Sequence, residues 1–120
     1  MFKVFFVLAI SFYSNSLIAL EDYNPKLAKK LVESQGALLL DVRSDGEFSR
    51  GSIKGAKHIH YKDITQKKEK ILKWANGDFK KPVVVFCAVG GRASKAKKML
   101  MDLGFKNVSN MGGLKDWPRN

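Results

Sequence analysis

Val83-Val84-Val85-Phe86 is a short apolar run rich in β-branched residues, preceded by Pro82. It continues without a break into Cys87-Ala88-Val89-Gly90-Gly91-Arg92, and a helical pattern runs from Ala93 to Leu103. A run with no polar alternation predicts a strand buried on both faces, the habit of parallel sheets covered by helices. The glycine pair permits a tight turn at positive φ, so the strand feeds directly into a helix. A strand that passes through glycines into a helix is part of a β–α–β unit, which commits the chain to an α/β architecture.

The remaining segments repeat this alternation. Asn24-Pro25 predicts a helix start, with Asn24 as N-cap and Pro25 at the first helical position. Leu27, Ala28, Leu31 and Val32 give that helix an apolar stripe, and Gly36 ends it. Ala37 to Leu40 predicts a second strand buried on both faces, with Asp41-Val42-Arg43 at its carboxyl end. Ser44 to Ser49 predicts a short helix closed by Gly51, and Ala56 to Tyr61 a short strand. Asp63 is expected to cap a helix reaching Ala75, followed by a turn at Asn76-Gly77. Ala96, Met99, Leu100 and Leu103 are expected on the inward face of the helix after Cys87, which Gly104 stops. Phe105 to Ser109 predicts a last strand, and Gly112-Gly113 a turn into a short helix carrying Trp117. The expectation is one α/β domain, residues 20–120, with a mostly parallel central sheet and helices on both faces.

Residues 1–19 read differently. Lys3 gives a basic start, Val4 to Phe12 is apolar apart from Ser11, and a polar stretch leads to Leu17-Ile18-Ala19 before Glu21-Asp22. This layout predicts a secretory signal peptide and a periplasmic domain, with cleavage after Ser16 or Ala19, of which Ala19 is preferred. The apolar core is too short to span a bilayer, which takes about 20 residues, so no stable membrane insertion is expected after cleavage. Cys87 is the sole cysteine. Exported domains usually pair their cysteines, so a single thiol there points to reactivity.

The position of Cys87 agrees. Ligands of parallel sheets bind at the carboxyl ends of strands, and there a helix N-terminus offers free backbone N–H groups and partial positive charge. Both favour a thiolate, the nucleophilic form. The formal net charge of +11 resides largely in lysines. It provides a field that gathers small anions. No nucleic-acid motif accompanies it, so nucleic acid is not an expected partner.

With these residues in place, the chain resembles the single-domain rhodaneses, and in size and leader their small periplasmic phage-shock type. Leu39-Leu40-Asp41-Val42-Arg43 resembles the first family marker, and Glu47-Phe48 with Gly51-Ser52-Ile53-Lys54-Gly55-Ala56 the second. Cys87 with Gly90 and Arg92 resembles the active-site loop. Leu103-Gly104-Phe105, Val108 and Gly112-Gly113-Leu114 with Trp117 complete the resemblance over nearly the whole domain. Two departures stand out. Ser52 occupies a position commonly His, and Ala88 and Val89 fill slots that are basic in some thiosulfate-preferring members.

The resemblance implies a sulfurtransferase. Cys87 would take the outer sulfur of thiosulfate or polysulfide as a persulfide and pass it to a thiol or cyanide. Backbone amides of Ala88, Val89, Gly90, Gly91 and Arg92 would cradle that sulfur. The Arg92 side chain, helped by Arg43, would attract the anionic donor. Asp41 and Glu47 are expected to orient Arg43 or Arg92 through ion pairs. No metal and no organic cofactor are implied. The alternative is a persulfide carrier that delivers sulfur to a partner protein without turnover. Phosphatases on this fold resemble C-x5-R, one residue longer than the loop here, so a tetrahedral oxyanion fits less well. His58 and His60, two apart on a strand, are read as partly exposed strand residues rather than metal ligands. A monomer is expected.

Overall fold

A computed structural model describes residues 20–119; the expected signal peptide lies outside them. Four parallel strands form one sheet in the order β2-β1-β3-β4, where β1 is Leu38–Asp41, β2 Lys57–His58, β3 Val83–Cys87 and β4 Val108–Gly113. Helices α1 (Pro25–Gln35), α2 (Asp45–Ser49), α3 (Lys68–Trp74) and α4 (Gly91–Asp102) connect or precede them. All nine residues of the adjacent strands β1 and β3 are buried, as their unbroken apolar runs require.

The pleat sends alternate residues to opposite faces. Leu38, Leu40, Val83, Val85 and Cys87 join one core with Ile71 of α3 and Ala93, Ala96 and Leu100 of α4. Leu39, Val84 and Phe86 join a second core with Ala28 and Leu31 of α1. Helices therefore cover both faces of the sheet. In α1 the Asn24 side chain accepts from the Leu27 N–H at 3.0 Å. Gly36, at φ +67°, donates its N–H to Leu31 and stops the helix.

Several boundaries differ from the sequence expectation. The strand expected from Ala56 to Tyr61 shrinks to Lys57–His58, which pair with Leu40 and Asp41 of β1. Asp63 caps no helix. Two 3₁₀ turns, Tyr61–Asp63 and Thr65–Lys67, precede α3. Ile64 is fully buried, but the positions three and four beyond it are Lys67 and Lys68, so no second apolar contact arrives until Ile71. Finally, β4 starts at Val108 and runs through Gly112-Gly113, where a turn was expected. Met111 is an extra residue against β3, since Val85 pairs with Asn110 and Phe86 with Gly112. Gly112 takes φ +108° to absorb this bulge. Trp117 follows a 3₁₀ turn, Leu114–Asp116, in place of the expected helix.

Candidate active site

The carboxyl ends of β1 and β3 are adjacent, with Asp41 opposite Phe86. This register brings the Asp41-Val42-Arg43 and Cys87–Arg92 segments to one edge of the sheet. Helix α4 begins at Gly91, two residues earlier than expected, so Arg92 and Ala93 lie in its first turn. No side chain caps that helix from Gly90. The sulfur of Cys87 does so from the strand end. Gly90 N–H donates to Sγ at 2.9 Å and Ala93 N–H at 3.3 Å. Ala93 is the third helical residue, whose N–H a capping side chain ordinarily satisfies. Cys87 is a free thiol, 1% exposed, placed where the helix N-terminus favours negative charge.

Of the amides expected around the sulfur, Gly90 supplies one. Ala93, just past the expected stretch, supplies the other. The Ala88 and Val89 side chains face outward, Val89 at 85% exposure, and form an apolar loop tip. On its inner side the loop is pressed against β4. A Cβ on Gly113 would overlap the Ala88 carbonyl oxygen and stand 3.0 Å from its carbon, so only glycine fits opposite Cys87.

Two ion pairs flank the loop. Glu47 receives Arg92 in a two-pronged pair, Nη1 to Oε1 at 2.6 Å and Nη2 to Oε2 at 2.9 Å. The geometry of α2 presents Glu47 for this. Ser44 accepts from the Glu47 N–H and donates its own N–H and hydroxyl to Oε1, a capping box. The Arg92 guanidinium, aided by Ser44, holds the Glu47 carboxyl well below the usual carboxylate range. Glu47 in turn raises Arg92, and the neighbouring Cys87 adds to that in a lesser degree.

Arg43 is taken up by Asp41. Its Nε and Nη2 reach the carboxylate at 2.7–3.1 Å, and Nη2 also donates to the Gly51 carbonyl at 2.7 Å. Arg43 is 6% exposed and Asp41 fully buried. Burial opposes the arginine's charge, but the Asp41 hydrogen bonds outweigh it and raise its basicity. Ser52, at the position that departs from the family pattern, donates its hydroxyl to Asp41 at 2.7 Å and completes this cluster. His58 donates Nε2–H to the Arg43 carbonyl at 2.7 Å and stacks on Phe48. A groove of about 430 Å³ lies beside both ion pairs, lined by Arg43, Glu47, Arg50, Gly51, Ser52, Leu114 and Arg119.

The sequence reading named Ser52 and Gly113 but missed what they do, Ser52 bonding Asp41 and Gly113 seating the loop, and it missed the part of the Ala93 amide. The signals were the departure at Ser52 and the glycine pair, which resembled a turn. Among the described residues no three His, Cys, Asp or Glu side chains converge as a metal site, and no helix is long and apolar enough to cross a membrane.

Known proteins share this family and fold. The family model described as rhodanese-like domain matches residues 24–120. Thiosulfate sulfurtransferase GlpE of Haemophilus influenzae (strain 86-028NP) is 30% identical across 85% of this chain and 91% of its own length. Thiosulfate sulfurtransferase PspE of Escherichia coli (strain K12) is 35% identical across 64% of this chain and 70% of its own. The solved structure of a rhodanese with anions from E. coli superposes with a TM-score of 0.60 at 29% identity, covering 67% of this chain and 89% of that one.

Proposed function

The chain belongs to the rhodanese-like domain family, and from that membership we propose that it transfers sulfane sulfur through a persulfide on Cys87. The observation that carries the reading is the cysteine sulfur itself, held at the strand end by two backbone N–H groups of the following helix. In the first step the Cys87 thiolate attacks the outer sulfur of thiosulfate. The S–S bond of the donor breaks, sulfite leaves with the bonding pair, and a Cys87 persulfide anion remains. In the second step a thiolate or cyanide attacks the terminal sulfur, and the Cys87 thiolate is the leaving group. Each half-reaction conserves charge and needs no external oxidant, so ping-pong kinetics are expected.

The Gly90 and Ala93 amides favour the anionic sulfur at both ends of the cycle. Arg92 closes the loop with a cation. Its pairing with Glu47 fixes the helix turn that carries the amide of Ala93 and leaves a shared, partly neutralised charge at the loop. The arginine-lined groove beside it and the surplus of lysines support an anionic donor, as does the anion-bound E. coli relative. Arg43 acts through Asp41 as a tie between the ends of β1 and the Gly51 loop rather than as a free donor to substrate. We further propose export to the periplasm, on the pattern of residues 1–19 alone, and a monomeric state.

The test is thiocyanate formation from thiosulfate and cyanide by the domain and by Cys87→Ala. Turnover that vanishes in the variant is the expected result. Absence of turnover in both proteins, with sulfur from polysulfide still loading on Cys87, would replace the enzyme with the carrier.

A further inference from the structure

Gly90 takes φ +115° and is followed by Gly91, so nothing in the loop's own side chains holds the N–H that faces the sulfur. The restraint comes from β4. The Asn110 side chain is buried, and its Nδ2 donates to the Gly90 carbonyl at 3.1 Å and to the Tyr23 hydroxyl at 3.2 Å. Its Oδ1 accepts from the Gly112 N–H at 2.8 Å, inside the bulge. Gly90 is thus gripped on both sides of its Cα. Its N–H enters the sulfur cradle, and its carbonyl is held by Asn110 and by the Ser94 N–H at 2.9 Å.

Tyr23 belongs to a strap laid along β4. Ser109 Oγ donates to the Glu21 carbonyl at 2.8 Å, Asn110 N–H to Asp22 at 2.9 Å, and Tyr23 N–H to the Asn110 carbonyl at 2.7 Å. Lys97 of α4 pairs with Asp22 at 2.8 Å and ties the strap to the helix that Cys87 caps. Tyr23 takes φ +54°, rare for a side chain of its size, and its ring lies against Gly90 and Gly112. The strained residue and the buried carboxamide converge on one glycine.

We propose that Asn110, braced by Tyr23, is a positioning residue that aims the Gly90 N–H at the Cys87 sulfur and so sets its reactivity. This rests on the reading of Cys87 as the sulfur-carrying nucleophile, and it extends the site to two residues that touch neither substrate nor sulfur.

The test follows Cys87 alkylation by iodoacetamide across pH, read by intact mass, together with kcat/KM for thiosulfate and thermal melting. Asn110→Ala is expected to alkylate about tenfold more slowly at neutral pH, below the loss from deleting an anion-binding donor outright. Its alkylation profile moves to higher pH, and kcat/KM falls by a similar factor. Tyr23→Phe removes only the hydroxyl that braces Asn110, and is expected to move the same readouts by about two- to threefold. If Asn110→Ala does not fold, Tyr23→Phe decides alone. Variants that melt earlier but alkylate at the wild-type rate with the wild-type pH profile would overturn the proposal, since a merely structural role moves only the melt. Alkylation needs no sulfur donor. Slower alkylation in a chain without turnover would therefore reject the sulfurtransferase reading and leave the positioning role standing.

Discussion

Gly113→Ala tests whether the loop's position, and not only its chemistry, makes the site. Gly113 stands opposite Cys87 in β4, and an added Cβ would overlap the Ala88 carbonyl oxygen, 3.0 Å from its carbon and 3.3 Å from the Val89 Cα. All three contacts are backbone, so no rotamer change relieves them. Restoring ordinary separations of ~3.5 Å requires the Ala88 peptide to retreat by about 1 Å. Overpacking of this kind costs about 1–3 kcal/mol, which for a domain of this size lowers Tm by roughly 5–20 °C. The effect on turnover is larger in proportion. A displacement of about 1 Å in a reacting group's setting costs about 100-fold in rate. The assay is thiocyanate formation beside a thermal melt, with intact mass showing that Cys87 remains unmodified. Gly91→Ala is the internal comparison for stability: a Cβ there meets nothing within 4 Å, and its melt is expected to hold or rise. Wild-type turnover and Tm in Gly113→Ala would refute the argument that β4 sets the loop.

Other consequences are as definite. Glu47→Gln breaks a two-pronged, three-quarters-covered ion pair; it is expected to cost about 1–2 kcal/mol in urea unfolding, between the values for exposed and fully buried pairs. Because Arg92 holds the Glu47 carboxyl below its ordinary range, the pair contributes fully above pH ~5. Its contribution fades as acidification passes the unfolded-state value near ~4.3 and continues toward the lower folded one, so wild type should lose its margin over Glu47→Gln in acid. Ser44→Ala removes the cap that presents Glu47 and should cost about 1 kcal/mol by thermal melting. Phe86→Ala empties a fully buried site of the second core and should cost about 3–5 kcal/mol, read as a lower urea midpoint.

The readable parts of the sequence were those fixed by local chemistry. Val83 to Phe86 and Leu38 to Leu40 are apolar throughout, so double burial followed from composition alone. Asn24-Pro25 and Gly36 bracket α1 by capping chemistry that acts over a few residues. The loop pattern around Cys87 placed the thiol at a helix N-terminus. The misread parts depend on partners distant in the chain. Gly112-Gly113 has the composition of a turn but the structure of a bulged strand, because its glycines answer to β3 and the Ala88 carbonyl. Ion pairs were expected of Asp41 and Glu47, yet the choice of Arg43 for one and Arg92 for the other follows from the β1–β3 register and the aim of α2. Asn110 carried no signal at all, since a buried polar residue is recognised only with its partners.

Thiosulfate treatment of the domain followed by intact mass and peptide mapping tests the central claim most directly. The account predicts a gain of one sulfur atom, confined to the peptide that contains Cys87 and discharged as thiocyanate on adding cyanide. No gain of sulfur from thiosulfate or polysulfide, or sulfur on any other residue, would contradict it.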